Sequence, residues 1–386
     1  MINQERIKHL LLELVQIDSI SRKERDVAER IKKYCEEMGA HVEIDEAGAK
    51  VGGNSGNVIA RFAGTLPHAE PIMMSAHMDT VVPGEGVKPI IEGDIIRSDG
   101  TTVLGGDDKS GCAVIIETIR CLQEQNLPHT PIEAVFSICE EVGLLGAKHV
   151  DVSKLKAKYG LVFDSDDPGF LFTKGPSANH MEFRIYGLES HAGVAPEEGI
   201  SAIKIAAEAI AEMKLGRIDH ETTANIGVIE GGKATNIITN FVLLRGEARS
   251  LNDDKLEAQT AHMVKCLEDA AAKYEVTVAG VTTKGRVESD ITREYYAMDV
   301  PESSHVVQLV YQAAARLGQK VEVMSSGGGC DANIFNKRGI ECANFGTGMR
   351  AIHTVKEWLD VKDMYASAEM TLEVLKLNGE LAQQKS

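Results

Sequence analysis

Apolar residues recur along the chain at two spacings, and each spacing indicates a different element. Near the N-terminus they follow the period of about 3.6 residues that is typical of an amphipathic helix. They stand at Ile7, Leu10, Leu11, Leu14 and Val15. A second helix is predicted over residues 24–38, and Gly39 marks its end.

From residue 57 onward, short apolar runs alternate with a helical period. Strands are predicted at 57–62, 71–76, 133–138 and 159–163. An amphipathic helix is predicted at 107–123, between the second and third of these strands. Strands that alternate with helices favour an α/β domain whose mostly parallel sheet is covered on both faces.

The pattern changes near residue 178, where strands and helices follow the order β-α-β-β-α-β. The elements are predicted at 180–186, 200–213, 222–229, 241–248, 255–273 and 275–281. This order is typical of a small ferredoxin-like α+β sandwich. Helix 304–317 and the apolar run 339–344 then return to the first pattern.

The simplest organisation is therefore an α/β domain that carries a second domain as an insertion. Residues 1–177 and 290–386 form the α/β domain, and residues 178–289 form the inserted one. A chain of 386 residues exceeds the size of about 250–300 residues at which a single core stops growing. Insertion is tolerated because the termini of a domain tend to lie close together.

Composition points to a cytoplasmic protein without a membrane partner. No stretch approaches the roughly 20 apolar residues of a membrane helix, and the N-terminal segment lacks the features of a signal peptide. The seven cysteines are scattered and form no CxxC pair, which favours a reducing compartment.

The net charge of −17, from 58 acidic and 41 basic residues, excludes nucleic acid as an expected partner. Affinity for phosphate backbones comes mostly from Lys and Arg. The excess acid either covers a solvated surface or gathers around cations, and composition does not choose between these alternatives.

Polar side chains stand where the predicted strands end, and ligands of open α/β sheets bind beyond the carboxyl ends of the strands. His77 follows one strand, Glu140 and Glu141 follow another, and Asp164 follows a third. Asp107 begins a helix after a glycine-rich turn. Each of these residues alone is explained by a cap, a turn or a solvated surface.

Together these residues predict a metal site. Carboxylates gathered in one cleft repel one another, and bound cations relieve the repulsion. With Asp107 and Glu141 taken from the adjacent pairs Asp107-Asp108 and Glu140-Glu141, these two acids, Asp164 and a bridging hydroxide would balance two divalent ions, with His77 and His353 as neutral ligands. The sequence alone does not choose within either pair. Mixed histidine and carboxylate ligation suits catalytic zinc, and Co²⁺ or Mn²⁺ also fits.

Six short motifs, in order along nearly the whole chain, resemble those of one enzyme family. They are HMDTV from His77, GGDDKSG from Gly105, EEVGLLGA from Glu140, FDSDD from Phe163, ESHAG from Glu189 and IHT from Ile352. The family is that of the dimetal hydrolases that include peptidase T, carboxypeptidase G and the aminoacylases. Within it the chain is most similar to the tripeptidase, or peptidase T-like, branch.

The resemblance implies a role for each residue of the predicted site. His77 and Asp164 would bind one ion, Glu141 and His353 the other, and Asp107 would bridge both. Asp79 would orient the His77 imidazole, Glu140 would be the general base, and a cis peptide bond would follow Asp107.

For the inserted domain, the resemblance implies dimerisation, a lid, and contacts with the substrate. His191 would donate to the oxyanion in the active site of the other subunit of a homodimer. Arg249 and Asn236 would bind the carboxylate of a small peptide substrate.

The expected reaction is hydrolysis of an amide bond in a short peptide. Two ions would lower the pKa of a bridging water towards about 7, and Glu140 would pass its proton to the leaving amine. An aminopeptidase of the tripeptidase type is the leading interpretation. An N-acyl amino acid deacylase or carboxypeptidase would use the same groups, and an inactive homodimeric binding protein is a more distant alternative.

Overall fold

The computed structural model describes residues 1–384 and divides into two units. The first, here called the α/β unit, comprises Met1–Gly175 and the chain from Met298 onward. The second, here called the inserted unit, comprises Pro176–Ala297. The predicted α/β fold is confirmed, and the inserted unit extends beyond the predicted range of 178–289 at both ends.

Several helices begin at a side chain that accepts a backbone N–H group of the first turn, as Asn3, Ser201, Asn252 and Ser304 do. The α-helices are α1 Gln4–Val15, α2 Arg25–Glu37, α3 Ala47–Val51, α4 Gly106–Glu124, α5 Leu145–His149, α6 Ala202–Glu212, α7 Asp253–Ala272, α8 His305–Leu317, α9 Asp331–Lys337 and α10 Val361–Gln384. Short 3-10 helices lie at Val152–Lys154 and Pro196–Glu198.

The strands are short in most of the α/β unit and longer in the inserted unit. They are β1 His41–Ile44, β2 Val58–Phe62, β3 Ile72–His77, β4 Ile90–Glu92, β5 Ile95–Arg97, β6 Ile132–Ser137, β7 Tyr159–Val162, β8 Phe170–Gly175, β9 Ser177–Tyr186, β10 Ser190–His191, β11 Gly216–Arg217, β12 Thr222–Gly231, β13 Ile237–Ile238, β14 Phe241–Ser250, β15 Glu275–Val278, β16 Val281–Lys284, β17 Arg286–Tyr295, β18 Met298–Asp299, β19 Glu322–Ser325, β20 Glu341–Phe345, β21 Met349–Arg350 and β22 Trp358–Asp360.

The main sheet of the α/β unit has the strand order β1-β2-β6-β3-β7-β20-β8-β18, and β19 pairs with β8. Its centre, β6-β3-β7-β20, is parallel. On the flanks, β1, β2, β8 and β18 pair antiparallel with their neighbours on this path. The expectation of a mostly parallel sheet is therefore wrong at the flanks, because apolar runs locate strands without giving their direction.

Helix α4 lies at the centre of the α/β unit and is buried along most of its length. It packs against β3, α1 and α10, and α10 also packs against α8. Every residue of β3 and of β6 is buried. This core holds the carboxyl ends of the central strands, where the predicted site residues stand. No helix in the described part of the chain is long and apolar enough to cross a membrane.

The inserted unit contains an antiparallel sheet in the order β11-β12-β14-β9-β17, against which α6 and α7 pack. Its core includes Met181, Phe183 and Ile185, which alternate along β9. The order of elements β9-α6-β12-β14-α7-β17 is the predicted β-α-β-β-α-β arrangement.

The predicted closing strand at 275–281 is wrong. Residues Glu275–Lys284 form the separate hairpin of β15 and β16, and the strand that closes the sheet is β17, which pairs with β9. Most side chains of β17 are exposed, so this edge strand lacks the apolar alternation that reveals a strand. The second boundary of the inserted unit consequently falls after Ala297 rather than after residue 289.

Candidate metal centre

The predicted metal-ligating side chains of the α/β unit meet at one edge of its main sheet. Strand β3 ends at His77, a turn after β6 carries Glu140 and Glu141, and Asp164 follows β7. Because β6, β3 and β7 are adjacent and parallel, their carboxyl ends lie at the same edge. Asp107 reaches this edge from the start of α4.

Asp107 lies between two histidines, with one carboxylate oxygen directed at each. Its Oδ1 is 3.0 Å from His77 Nε2, and its Oδ2 is 3.1 Å from His353 Nε2. His353 Nε2 is also 2.9 Å from Glu141 Oε2. Asp164 completes the cluster, since one atom each of His77, Asp107 and Asp164 lie within 4.8 Å of one another. The same holds for Asp107, Glu141 and His353.

Burial shifts the proton affinities of the acids in this cluster. It raises the pKa of Glu140 and of Asp164 well above the usual range, and the negative charges nearby add to the effect. Burial also raises the pKa of Glu141. Burial alone would raise the pKa of Asp107 as well, but hydrogen bonds with His353 and His77 hold it below its usual range. Burial therefore disfavours the charged forms of Glu140, Glu141 and Asp164, and the two histidines do not offset this effect.

The donor set fits a pair of divalent cations that share Asp107. Imidazole nitrogens and carboxylate oxygens are the ligands that catalytic zinc takes. Glu141 Oε1 is buried and has no hydrogen-bond partner among the described residues, so it is free for such a role. Cations at this position would also relieve the repulsion among the buried acids.

Asp79 holds the turn that carries Glu140 and Glu141. Its Oδ1 accepts the N–H group of Glu140 at 2.9 Å, and its Oδ2 accepts the N–H group of Glu141 at 3.3 Å. The Ser21 hydroxyl donates to the same Oδ2 at 2.7 Å. The contact nearest to His77 Nδ1 is the main-chain oxygen of Asp79 at 2.9 Å, whereas the carboxylate oxygen is 3.5 Å away. The predicted link between these residues is thus made chiefly by the backbone.

The peptide bond between Asp107 and Asp108 is cis, as the resemblance implied. The carboxylate of Asp108 accepts the N–H groups of His77 at 3.1 Å and of Gly111 at 3.2 Å. Asp108 therefore ties the end of β3 to the start of α4.

Two buried acids near the cluster had no assigned role in the sequence. Glu24 Oε1 accepts the N–H group of Cys139 at 3.1 Å. Cys139 has a backbone φ of +51°, which turns the chain towards Glu140. Asp331 accepts a short hydrogen bond from the Ser137 hydroxyl, and burial raises the pKa of Asp331 to about 6. Glu24 is the first residue of a predicted helix and Asp331 follows a glycine-rich stretch, so neither position signals a partner distant in sequence.

The other predicted site residues belong to the inserted unit. His191 is exposed on β10, which pairs with β13, and the N–H group of Ala192 donates to the main-chain oxygen of Asn236 at 2.9 Å. Arg249 lies on β14 and donates from Nη2 to Glu247 at 3.0 Å. Within residues 1–384 its buried Nε has no hydrogen-bond partner, so one donor remains available.

Comparison with known proteins gives consistent matches over most of the chain. The family model described as "Peptidase family M20/M25/M40" matches residues 73–377. The uncharacterized protein YqjE of Bacillus subtilis strain 168 is 41% identical over 376 residues, which cover 97% of this chain and 99% of that protein.

Two solved structures are similar in both sequence and fold. The aminopeptidase PepT of Bacillus cereus ATCC 10987 is 41% identical with a TM-score of 0.88, covering 97% of this chain and 98% of that one. A tripeptidase of Staphylococcus aureus subsp. aureus Mu50 is 36% identical with a TM-score of 0.92, covering 98% and 100%.

The charge balance of the cluster predicts how stability depends on pH when no cation is bound. Hydrogen bonds with Asp107 and Glu141 raise the pKa of His353 from 6.5 to about 10. The folded state then binds this proton more tightly than the unfolded state. The stability that it contributes is complete below pH 6.5 and is lost as the pH rises through about 10.

We therefore expect the melting temperature of chelator-treated protein to fall between about pH 7 and pH 10. The His353→Asn variant lacks this proton and should show a shallower fall. Melting curves of both proteins in chelator across this pH range test the prediction. Parallel pH profiles for the two proteins would contradict it.

Proposed function

This chain belongs to peptidase family M20/M25/M40, and we propose that it is an aminopeptidase of the tripeptidase type that hydrolyses short peptides with the aid of two metal ions. The observation that carries the proposal is the position of Asp107 between two histidines. One of its carboxylate oxygens lies near His77 and the other lies near His353. Such a shared carboxylate is what a pair of cations requires. The similarity to an aminopeptidase and to a tripeptidase supports the same substrate class.

The proposed ligands divide into two sets around Asp107. His77 and Asp164 would hold one ion, and Glu141 and His353 would hold the other. Zinc is the metal that suits this donor set best, with Co²⁺ and Mn²⁺ as alternatives. When bound, the two ions supply Lewis acidity and lower the pKa of water to near neutrality.

Glu140 is the proposed general base. Its side chain is buried beside the cluster, and its Oε2 is 3.9 Å from His77 Nε2. The hydrogen bond from its own N–H group to Asp79 fixes the backbone that carries it. From this position the carboxylate takes a proton from the attacking water and returns it to the leaving amine.

In the inserted unit, Arg249 and Asn236 are the proposed ligands of the substrate carboxylate. A guanidinium group binds a carboxylate through two parallel hydrogen bonds, and the free Nε of Arg249 supplies one donor. His191 is the proposed donor to the oxyanion in a neighbouring subunit. The protein is accordingly proposed to be a homodimer formed through the inserted unit. We also propose that it acts in the cytoplasm.

Turnover of a free tripeptide, compared with its N-acetylated form, tests the proposed function. We expect the free peptide to be cleaved, the acetylated peptide to be a poor substrate, and a chelator to abolish activity until zinc is restored. Release of the N-terminal amino acid is the quantity to measure. Faster consumption of the acetylated peptide would instead favour the deacylase or carboxypeptidase, and activity that survives the chelator would refute the metal-dependent mechanism.

The Glu140→Gln variant tests the general base. It keeps the size of the side chain but cannot accept the proton, so kcat should fall by about 10²- to 10⁴-fold. The metal content should remain that of the wild-type protein, because Glu140 is not among the proposed ligands. Steady-state kinetics and metal analysis on the same sample check both statements, and near-normal kcat would rule out the role.

The His191→Ala variant tests catalysis across subunits. Alone it should be nearly inactive, as should the ligand variant His353→Ala. After subunit exchange, half of the dimers are mixed and each has one complete site, so roughly a quarter of wild-type activity should return. Failure to regain activity, although exchange is demonstrated, would place His191 in its own subunit's site or outside the reaction.

A further inference from the structure

Glu357 receives three backbone N–H groups from the turn that delivers Asp107. Its Oε2 accepts hydrogen bonds from Leu104 at 2.7 Å and Gly105 at 2.9 Å. Its Oε1 accepts one from Asp107 itself at 3.0 Å. The side chain is only 1% exposed, so water does not compete for these bonds.

The backbone of this turn cannot satisfy its own N–H groups. Gly105 has a φ of +74°, and Asp107 departs from helical geometry with a ψ of 103°. Without an outside acceptor, the buried N–H groups of this turn would have no partner, which destabilises the turn. The turn also closes tightly on the carboxylate, since a Cβ atom at Gly106 would lie 3.1 Å from Glu357 Oε1.

Glu357 also belongs to the segment that carries His353. Its N–H group donates to the main-chain oxygen of Thr354 at 3.0 Å and closes the turn after His353, which has a φ of +59°. The Glu357 side chain therefore joins the segment of Asp107 to the segment of His353. In this arrangement His353 Nε2 lies 3.1 Å from Asp107 Oδ2.

We propose that Glu357 is a positioning residue that holds Asp107 and His353 at the separation needed for cation binding. It touches neither the substrate nor the reacting atoms, and it acts through the Leu104–Asp107 turn. The inference rests on the metal ligands of the proposed function but not on the choice of substrate. Residues that orient metal ligands in this way typically contribute about 10- to 100-fold to metal affinity.

A matched control exists in the same unit. Glu133 is 4% exposed, and its Oε2 accepts the N–H groups of Lys156 at 2.8 Å and Ala157 at 2.9 Å. It therefore performs the same kind of loop fixation as Glu357. It stands near the beginning of β6, whereas the metal-ligating residues follow the end of that strand.

The test compares Glu357→Gln with Glu133→Gln. Both oxygens of Glu357 accept N–H groups, so an amide at this position leaves at least one N–H group of the turn without an acceptor in either orientation. Glu357→Gln should therefore have a lower melting temperature than the wild type in chelator, whereas Glu133→Gln removes the charge and can still direct its oxygen at Lys156 and Ala157. Only Glu357→Gln should bind Co²⁺ about 10- to 100-fold more weakly in a competitive chelator titration. The visible absorption spectrum of its Co²⁺ form should also differ from that of the wild type.

Wild-type Co²⁺ affinity and spectrum in folded Glu357→Gln would overturn the proposal, as would an equal loss of affinity in Glu133→Gln. If Glu357→Gln does not fold, Glu357→Asp keeps the charge but shortens the reach, and the same loss of affinity is expected. If neither variant folds, Glu357 is a folding residue and the positioning role is rejected. A wild-type protein that binds Co²⁺ but cleaves no peptide would refute the proposed substrate and leave this comparison intact.

Discussion

Repulsion among buried carboxylates is the constraint on which the α/β unit depends. Glu140 is buried and Glu141 and Asp164 are half-buried at one edge of the sheet, and burial raises the pKa of each. A fold that gathers such groups loses stability unless positive charge is placed among them. The two histidines that contact Asp107 supply part of the positive charge. The proposed cations would supply the rest.

The buried acids around this edge fall into two groups with different partners. Asp79, Asp108, Glu24 and Glu357 accept backbone N–H groups and so fix the turns between strands and helices. Asp107, Glu141 and Asp164 face the histidines or one another. Backbone N–H groups favour the charged form in the first group, although burial still raises the pKa of Asp108, Glu24 and Glu357. The second group has fewer such donors, and the proposed cations would neutralise it.

The sequence located most of the cluster because its residues stand at recognisable places, namely the ends of apolar strands and the start of a helix after glycines. His353 lies in a turn between β21 and β22, and its role was implied by the IHT motif. The sequence did not locate Glu357 or Glu24, whose partners are backbone N–H groups far along the chain with no signature of their own. It also missed β17, since an exposed edge strand carries little apolar alternation. Direction within the sheet was wrong at the flanks for a similar reason: the pairing of β2 with β6 depends on how the connections run, which local periodicity does not encode.

The single carboxylate that stands between His77 and His353 has a thermodynamic consequence. On the proposed assignment, each carboxylate oxygen of Asp107 would bind one cation. A cation at one oxygen would withdraw electron density from the other oxygen and fix its orientation. Loading of the two positions is then linked, and by reciprocity each occupant alters the affinity of the other by the same factor. A protein that held two different metals would consequently differ in its properties from the average of the two forms that each hold a single kind of metal.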